Sequence, residues 1–247
     1  MRQYLTSTHD CAANSRPRTT PGAYPARELA LMTRVFERCH PYLAPACATS
    51  SVPAEFLGAL TANESGGSLD AARFEPAVYR HLKAVATGQS PAYGRLRAQD
   101  LGASPEDGHA PDAERDVEDR LHPKAADYHG RYLTAPYSAN HASELAAATD
   151  DRLREYATSW GFTQIMGYHV VGHGGDVRAL VDPDEHYRFA IELLAEFAAD
   201  YKLHLAREFA EMFRCWNTGQ PYGKTFDPAY VANGLRRMQM YREMLRH

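Results

Sequence analysis

Long apolar runs are missing from this chain: no stretch reaches the roughly 18 consecutive apolar residues of a membrane span. Its opening residues, "MRQYLTSTHDCAANSRPRTT", also lack the apolar core of a secretory signal. The expectation is therefore a chain with no visible signal peptide, reaching its place of action as a mature form, by lysis or through a dedicated apparatus. Cationic excess is absent too. A formal charge of -4 and a pI near 6.3 argue against nucleic acid, and no basic run marks a membrane surface.

Cysteine is scarce, with four residues and no C-x-x-C spacing, which excludes a thiolate metal site on pattern. Cys39 and Cys47 bracket "HPYLAPA", where a closing disulfide and a pair of buried free thiols are both compatible with the spacing. No Gly-x-Ser-x-Gly elbow is present, so a serine-nucleophile site of that kind has no motif. His169, His173 and Asp176 fall close together in "YHVVGHGGD", but the glycines among them oppose the helix that metal ligation at i, i+4 requires. Internal repeats are absent, as is alternating strand character apart from a short strand or two expected in the insertion described next.

What is present is material for one core. The 247 residues are 44% apolar and 11% aromatic. Residues 1–24 read as a polar arm, and 25–247 as a single mostly α domain interrupted by a Gly-, Pro- and charge-rich insertion at about 88–142. Leu29, Met32, Val35 and Phe36 repeat at helical spacing, with Pro41 and Pro45 expected to end that helix. Ser51 is a candidate N-cap, and Pro53 a first-turn proline, for the helix that follows. Ser143 is expected to cap a helix that buries Leu145, Ala148, Leu153 and Tyr156. A stripe from Leu194 to Phe213 is too long for one rod, so a break is expected near Tyr201 to Leu205. The last helix is expected to begin at Asp227.

The stretch "FLGALTANESGGS" carries the first chemical signal. At about 100° per residue, Glu64 shares an arc with Phe56, Leu57 and Leu60, so the carboxyl lies on the apolar side of its helix. Gly66 and Gly67 stop the helix at once, which leaves Glu64 in the last turn, where the helix dipole disfavours negative charge. Burial and dipole both raise its pKa, a property of general acids.

Two further stretches place polar groups where packing alone does not: Gln164 in "SWGFTQIMGY" and Asn217 in "CWNTGQPYGKTFDPAYV". Each has a structural reading, Gln164 as partner of a buried backbone group and Asn217 as a turn former. The order of Glu-Ser-Gly, then Ser-x-Gly-x-x-Gln-Ile-Met, then aromatic-Asn-x-Gly followed by a tyrosine resembles the lysozyme-like glycan-cleaving superfamily. Goose-type lysozymes and lytic transglycosylases are its broader members. "ESGG", "RFEPAVYRHL", a long variable segment, "SWGFTQIMGY" and "FRCWNTG" are most similar to the N-acetylmuramidase domains of phage endolysins, over about residues 50–245.

The resemblance implies a lysozyme-like fold whose cleft holds the glycan strand of peptidoglycan, with no cofactor. It places Glu64 as general acid, with Ser65 beside it. Gln164 and Met166 become cleft-lining residues, Asn217 an orienter of sugar groups, and Trp216 a sugar-stacking ring or a core residue. Tyr230 is its best match for the C-terminal cleft tyrosine, with Tyr222 and Tyr241 competing. Glu75 takes the position of a second carboxylate, the base of an inverting hydrolase, ahead of Asp70. Its place before Pro76 equally suits a helix cap, and one glutamate can serve both purposes. Two departures stand out: Pro76 and Ala77 replace the histidine expected after Phe-Glu, and Trp216 replaces a tyrosine. A muramidase acting on the bacterial cell wall is thus expected, with a lytic transglycosylase, chitin as substrate, or a silent glycan-binding module as alternatives.

Overall fold

In a computed structural model, residues 24–88, 144–171 and 176–247 are described. Most of the arm, nearly all of the insertion, Cys11, Ser143 and His173 lie outside them. The described elements run in chain order: α1 (Ala26–Ala48), α2 (Ala54–Glu64), β1 (Ala72–Phe74), α3 (Pro76–Ala86), α4 (Asp150–Tyr156), β2 (Thr158–Trp160), β3 (Ile165–Met166), α5 (Pro183–Tyr201), α6 (Phe209–Thr218) and α7 (Tyr230–Met244). The described residues are mostly helical, with one small sheet.

Contrary to expectation, α1 runs through both prolines. Met32, Val35, Cys39, Leu43 and Cys47 form one buried stripe along it, and Pro41 and Pro45 face outward. A proline deprives the residue four back of its helical partner, but on the solvent side water takes that place. Core packing on the other side therefore carries the helix past the prolines. Leu29, expected inside, is 48% exposed.

α2 is nearly all buried because α1 and α7 pack against it from two sides. A β-carbon on Gly58 would come within 2.3 Å of the Tyr241 ring, so glycine permits the close crossing of α2 and α7. Pro53, rather than Ser51, occupies the N-cap position, and no side chain caps that end. Ser50 instead braces the turn before it, accepting from the backbone N–H of Val52 at 3.1 Å.

The segment expected as one helix from Ser143 is broken at Ala148 and Thr149, where Thr149 caps α4 by accepting from Arg152 N–H at 3.2 Å. The break between α5 and α6 falls as expected, with Lys202 in left-handed conformation closing α5. α7 begins three residues after Asp227, whose carboxylate accepts from Ala229 N–H at 2.8 Å. Three antiparallel strands in the order β1, β2, β3 flank the insertion, pairing Arg73 with Ser159 and Ser159 with Met166, while the short strands expected within the insertion fall outside the described residues. Cys39, Cys47 and Cys215 are buried free thiols, which decides between the two readings of the first pair.

Candidate active site

Phe56, Leu57 and Leu60 are at most 1% exposed, and Glu64 closes α2 one turn beyond them. Its carboxyl is enclosed by protein, while the residue as a whole keeps intermediate exposure. Burial pushes the carboxyl up to about 7, against the opposing effects of the Tyr230 phenol and the nearby Arg73 charge. Tyr230, the first residue of α7, donates its phenolic hydrogen to Glu64 Oε1. This separates the tyrosine candidates. Tyr241 is buried and bonded to His40 at 2.8 Å, and Tyr222 is 82% exposed on a loop.

Both flanks of Glu64 are stitched down. Ser65 donates through its hydroxyl to Phe162 O at 2.7 Å and accepts from the N–H groups of Gly67 and Ser68, each at 3.2 Å. That ties the end of α2 to the hairpin joining β2 and β3. On the other side Asn63 donates to Tyr230 O at 3.1 Å, and Arg237 donates to Asn63 Oδ1 at 2.7 Å. Arg237 also pairs with Glu28 at 3.0 Å, so α1, α2 and α7 meet behind the carboxyl. Nothing in the pattern around Asn63 or Arg237 announces this, because their partners are far away in sequence.

Arg73, on β1, pairs through Nε with Glu75 at 3.1 Å, with side chains 53% and 28% exposed. It is also near enough to Glu64 for its charge to favour the ionised form there. One guanidinium thus acts on both candidate carboxyls. Glu75 does occupy the N-cap position of α3, with Pro76 first in the helix, but its side chain makes no capping bond. Its carbonyl serves Tyr79 N–H at 3.1 Å instead, and its own N–H is held by Ala157 O at 2.8 Å. Asp70 is exposed before β1.

Gln164 takes a left-handed backbone, φ 57°, at the hairpin tip. Its amide donates to Ala71 O and Gly161 O, both at 3.0 Å, and accepts from Ser159 at 3.0 Å. The side chain builds the sheet wall, the structural reading of this residue, rather than presenting its amide outward. Met166 is 8% exposed on β3. Trp216 donates from its indole to Thr163 O at 3.0 Å, and Asn217 accepts from Phe226 N–H at 3.3 Å. Asn217 lies within the last turn of α6, two residues before Gly219, whose left-handed backbone ends the helix.

His186 escaped the sequence reading, since a histidine in the first turn after the capping Asp182 has no distinctive pattern. It is fully buried and holds the same hairpin. Its Nε2 accepts from Thr163 N–H at 2.9 Å, which leaves the ring proton on Nδ1 to donate to Leu180 O at 2.8 Å. Burial pushes it down to about 4. Among the described residues no group of three His, Cys, Asp or Glu side chains can hold a metal, and the His169 ring lies tilted against Tyr168, centroids 4.5 Å apart. No family model, curated protein or solved structure matches the chain. The site can do one kind of chemistry well: deliver a proton from Glu64, aimed by Tyr230, near neutral pH.

Proposed function

We propose that this chain is a peptidoglycan muramidase of lysozyme-like fold, with Glu64 as the general acid. The observation that carries the proposal is a glutamate at the end of an apolar helix, raised to about 7 and bonded by a tyrosine that comes from a distant helix. Cleaving a glycosidic bond requires a protonated carboxyl beside the bridging oxygen, and lysozyme's own acid, at pKa about 6, is the type case. The resemblance of "ESGG", "SWGFTQIMGY" and "CWNTG" to the muramidase branch supports the substrate.

Glu64 gives its proton to the bridging oxygen as the β-1,4 bond between N-acetylmuramic acid and N-acetylglucosamine breaks. The oxocarbenium-like carbon that remains is captured by water, whose proton Glu75 accepts. A second reading, lytic transglycosylation, draws support from the ion pair that already engages the Glu75 carboxylate with Arg73. In that case the sugar's own 6-hydroxyl attacks, ionised Glu64 takes its proton, and a 1,6-anhydro product results. A silent glycan-binding module is the less favoured reading, because the ion pair of Arg73 goes to Glu75 and leaves Glu64 to the tyrosine.

Incubation of wild type, Glu64→Gln and Glu75→Gln with purified peptidoglycan, followed by mass spectrometry of released fragments, tests this. Reducing-end products lost in both variants support the hydrolase. Anhydro products surviving Glu75→Gln support the transglycosylase, and no release by wild type from walls of several bacterial types refutes both.

A further inference from the structure

The loop between α6 and α7 alternates in burial from Pro221 to Phe226. Pro221, Gly223 and Thr225 are buried, while Tyr222, Lys224 and Phe226 are exposed. Tyr222 and Phe226 are 82% and 65% exposed, which places two large rings on the outward face of one short segment. At about 3.3 Å per extended residue they stand at most about 13 Å apart, the reach of a short oligosaccharide.

The segment is braced rather than loose. Tyr201 donates to Gly219 O at 2.8 Å, and Thr225 donates to Asp227 O at 2.8 Å. A β-carbon on Gly223 would come within 1.8 Å of Thr218 Oγ1, so the backbone packs down where only glycine fits. The loop is also continuous with the site at both ends. Phe226 N–H is held by Asn217, and four residues on, Tyr230 reaches Glu64. A single exposed aromatic needs no explanation, but two on one face of a braced loop joined to a candidate site do.

We infer that Tyr222 and Phe226 form a stacking platform for pyranose rings of the glycan strand, extending the binding site outward from Asn217 and Tyr230. The apolar faces of sugar rings lie flat on aromatic rings, and rigid two-torsion side chains supply that contact at little entropic cost. This inference rests on the muramidase reading.

The test measures binding of peptide-free peptidoglycan glycan strands to Glu64→Gln, which leaves them intact, and to the same protein also carrying Tyr222→Ala and Phe226→Ala. The platform predicts affinity at least about tenfold weaker without the rings, at an unchanged melting temperature, and restored by Tyr222→Trp with Phe226→Trp. Equal affinity with and without the rings overturns the platform, while wall cleavage by wild type in the same preparation leaves the muramidase reading standing. No strand binding by Glu64→Gln together with no cleavage by wild type overturns both.

Discussion

The phenol of Tyr230 donates a hydrogen bond to the carboxyl of Glu64, joining the first residue of α7 to the last residue of α2. A donor to a carboxylate favours the ionised form, so this bond works against the burial that keeps Glu64 protonated. The tyrosine therefore aims the acid and moderates it. Removing it separates these effects.

Tyr230→Phe leaves the ring packed against Phe213 and removes only the donor. The Glu64 pKa then rises further, because the donor that favours the ionised carboxylate is gone. On the muramidase reading, the alkaline limb of the pH–rate profile on peptidoglycan shifts upward with it. Turnover falls by on the order of tenfold to a hundredfold, as misdirected proton donors do. A pH–rate profile of both proteins checks the shift and the loss together.

Arg73→Gln removes the positive charge that acts on both carboxyls. Glu64 again moves up, and Glu75 loses its ion pair. The hydrolase reading predicts that the Glu64 limb of the pH profile moves to higher pH while activity stays dependent on Glu75, whereas a transglycosylase shows the same movement without dependence on Glu75. Comparing Arg73→Gln with Arg73→Gln/Glu75→Gln distinguishes them.

Glu64 costs the protein stability. Its unfolded pKa lies near 4.5 and its folded value near 7, so the native state holds the proton more tightly. The stabilising contribution is full below the unfolded value and is lost as pH rises through about 7. Glu64→Gln is expected to match wild type near pH 4 and to exceed it near pH 8 by on the order of 3 kcal/mol. Urea unfolding at the two pH values measures this.

His186 acts in the opposite sense. Its folded pKa, about 4, lies below the ordinary 6.5, so the unfolded chain takes up the proton first as pH falls. Stability present above 6.5 is lost through about 4, on the order of 3 kcal/mol. Because Glu64 titrates with opposite sign over an overlapping window, the cleanest comparison is Glu64→Gln against Glu64→Gln/His186→Gln. The first should lose stability between pH 7 and pH 4, and the second should start lower and lose less.

Gln164→Ala removes three hydrogen bonds at the hairpin tip and keeps a side chain in left-handed backbone. A loss of about 2–3 kcal/mol is expected, read as a melting temperature lower by about 5–10 °C. A substrate-contact role alone would leave the melting temperature near that of wild type.

Much of the candidate site was legible in the sequence because it rests on local pattern. The arc that Glu64 shares with Phe56, Leu57 and Leu60 is helical arithmetic, and the Gly66 and Gly67 stop sits beside it. The break after Tyr201 followed from the length of the stripe. Pro76 at the first position of α3 followed from proline's missing N–H. What stayed hidden depends on distant partners. Strands of two or three residues carry no period, so the sheet that positions Arg73 left no trace. The prolines of α1 read as stops because their outward orientation is fixed only by packing on Cys39, Leu43 and Cys47. Gln164 read equally as cleft wall and as backbone partner until Ser159 and Ala71 were placed beside it.

General-acid catalysis by Glu64 requires its carboxyl to be held protonated near neutral pH. Carbon NMR titration of labelled glutamate carboxyls in wild type, assigned by the resonance missing from Glu64→Gln, beside the pH dependence of kcat/KM on peptidoglycan, measures this. A Glu64 midpoint near 7 that coincides with the alkaline fall in activity is expected. A midpoint near the ordinary 4.5, or an activity profile that ignores it, rules out Glu64 as the proposed acid.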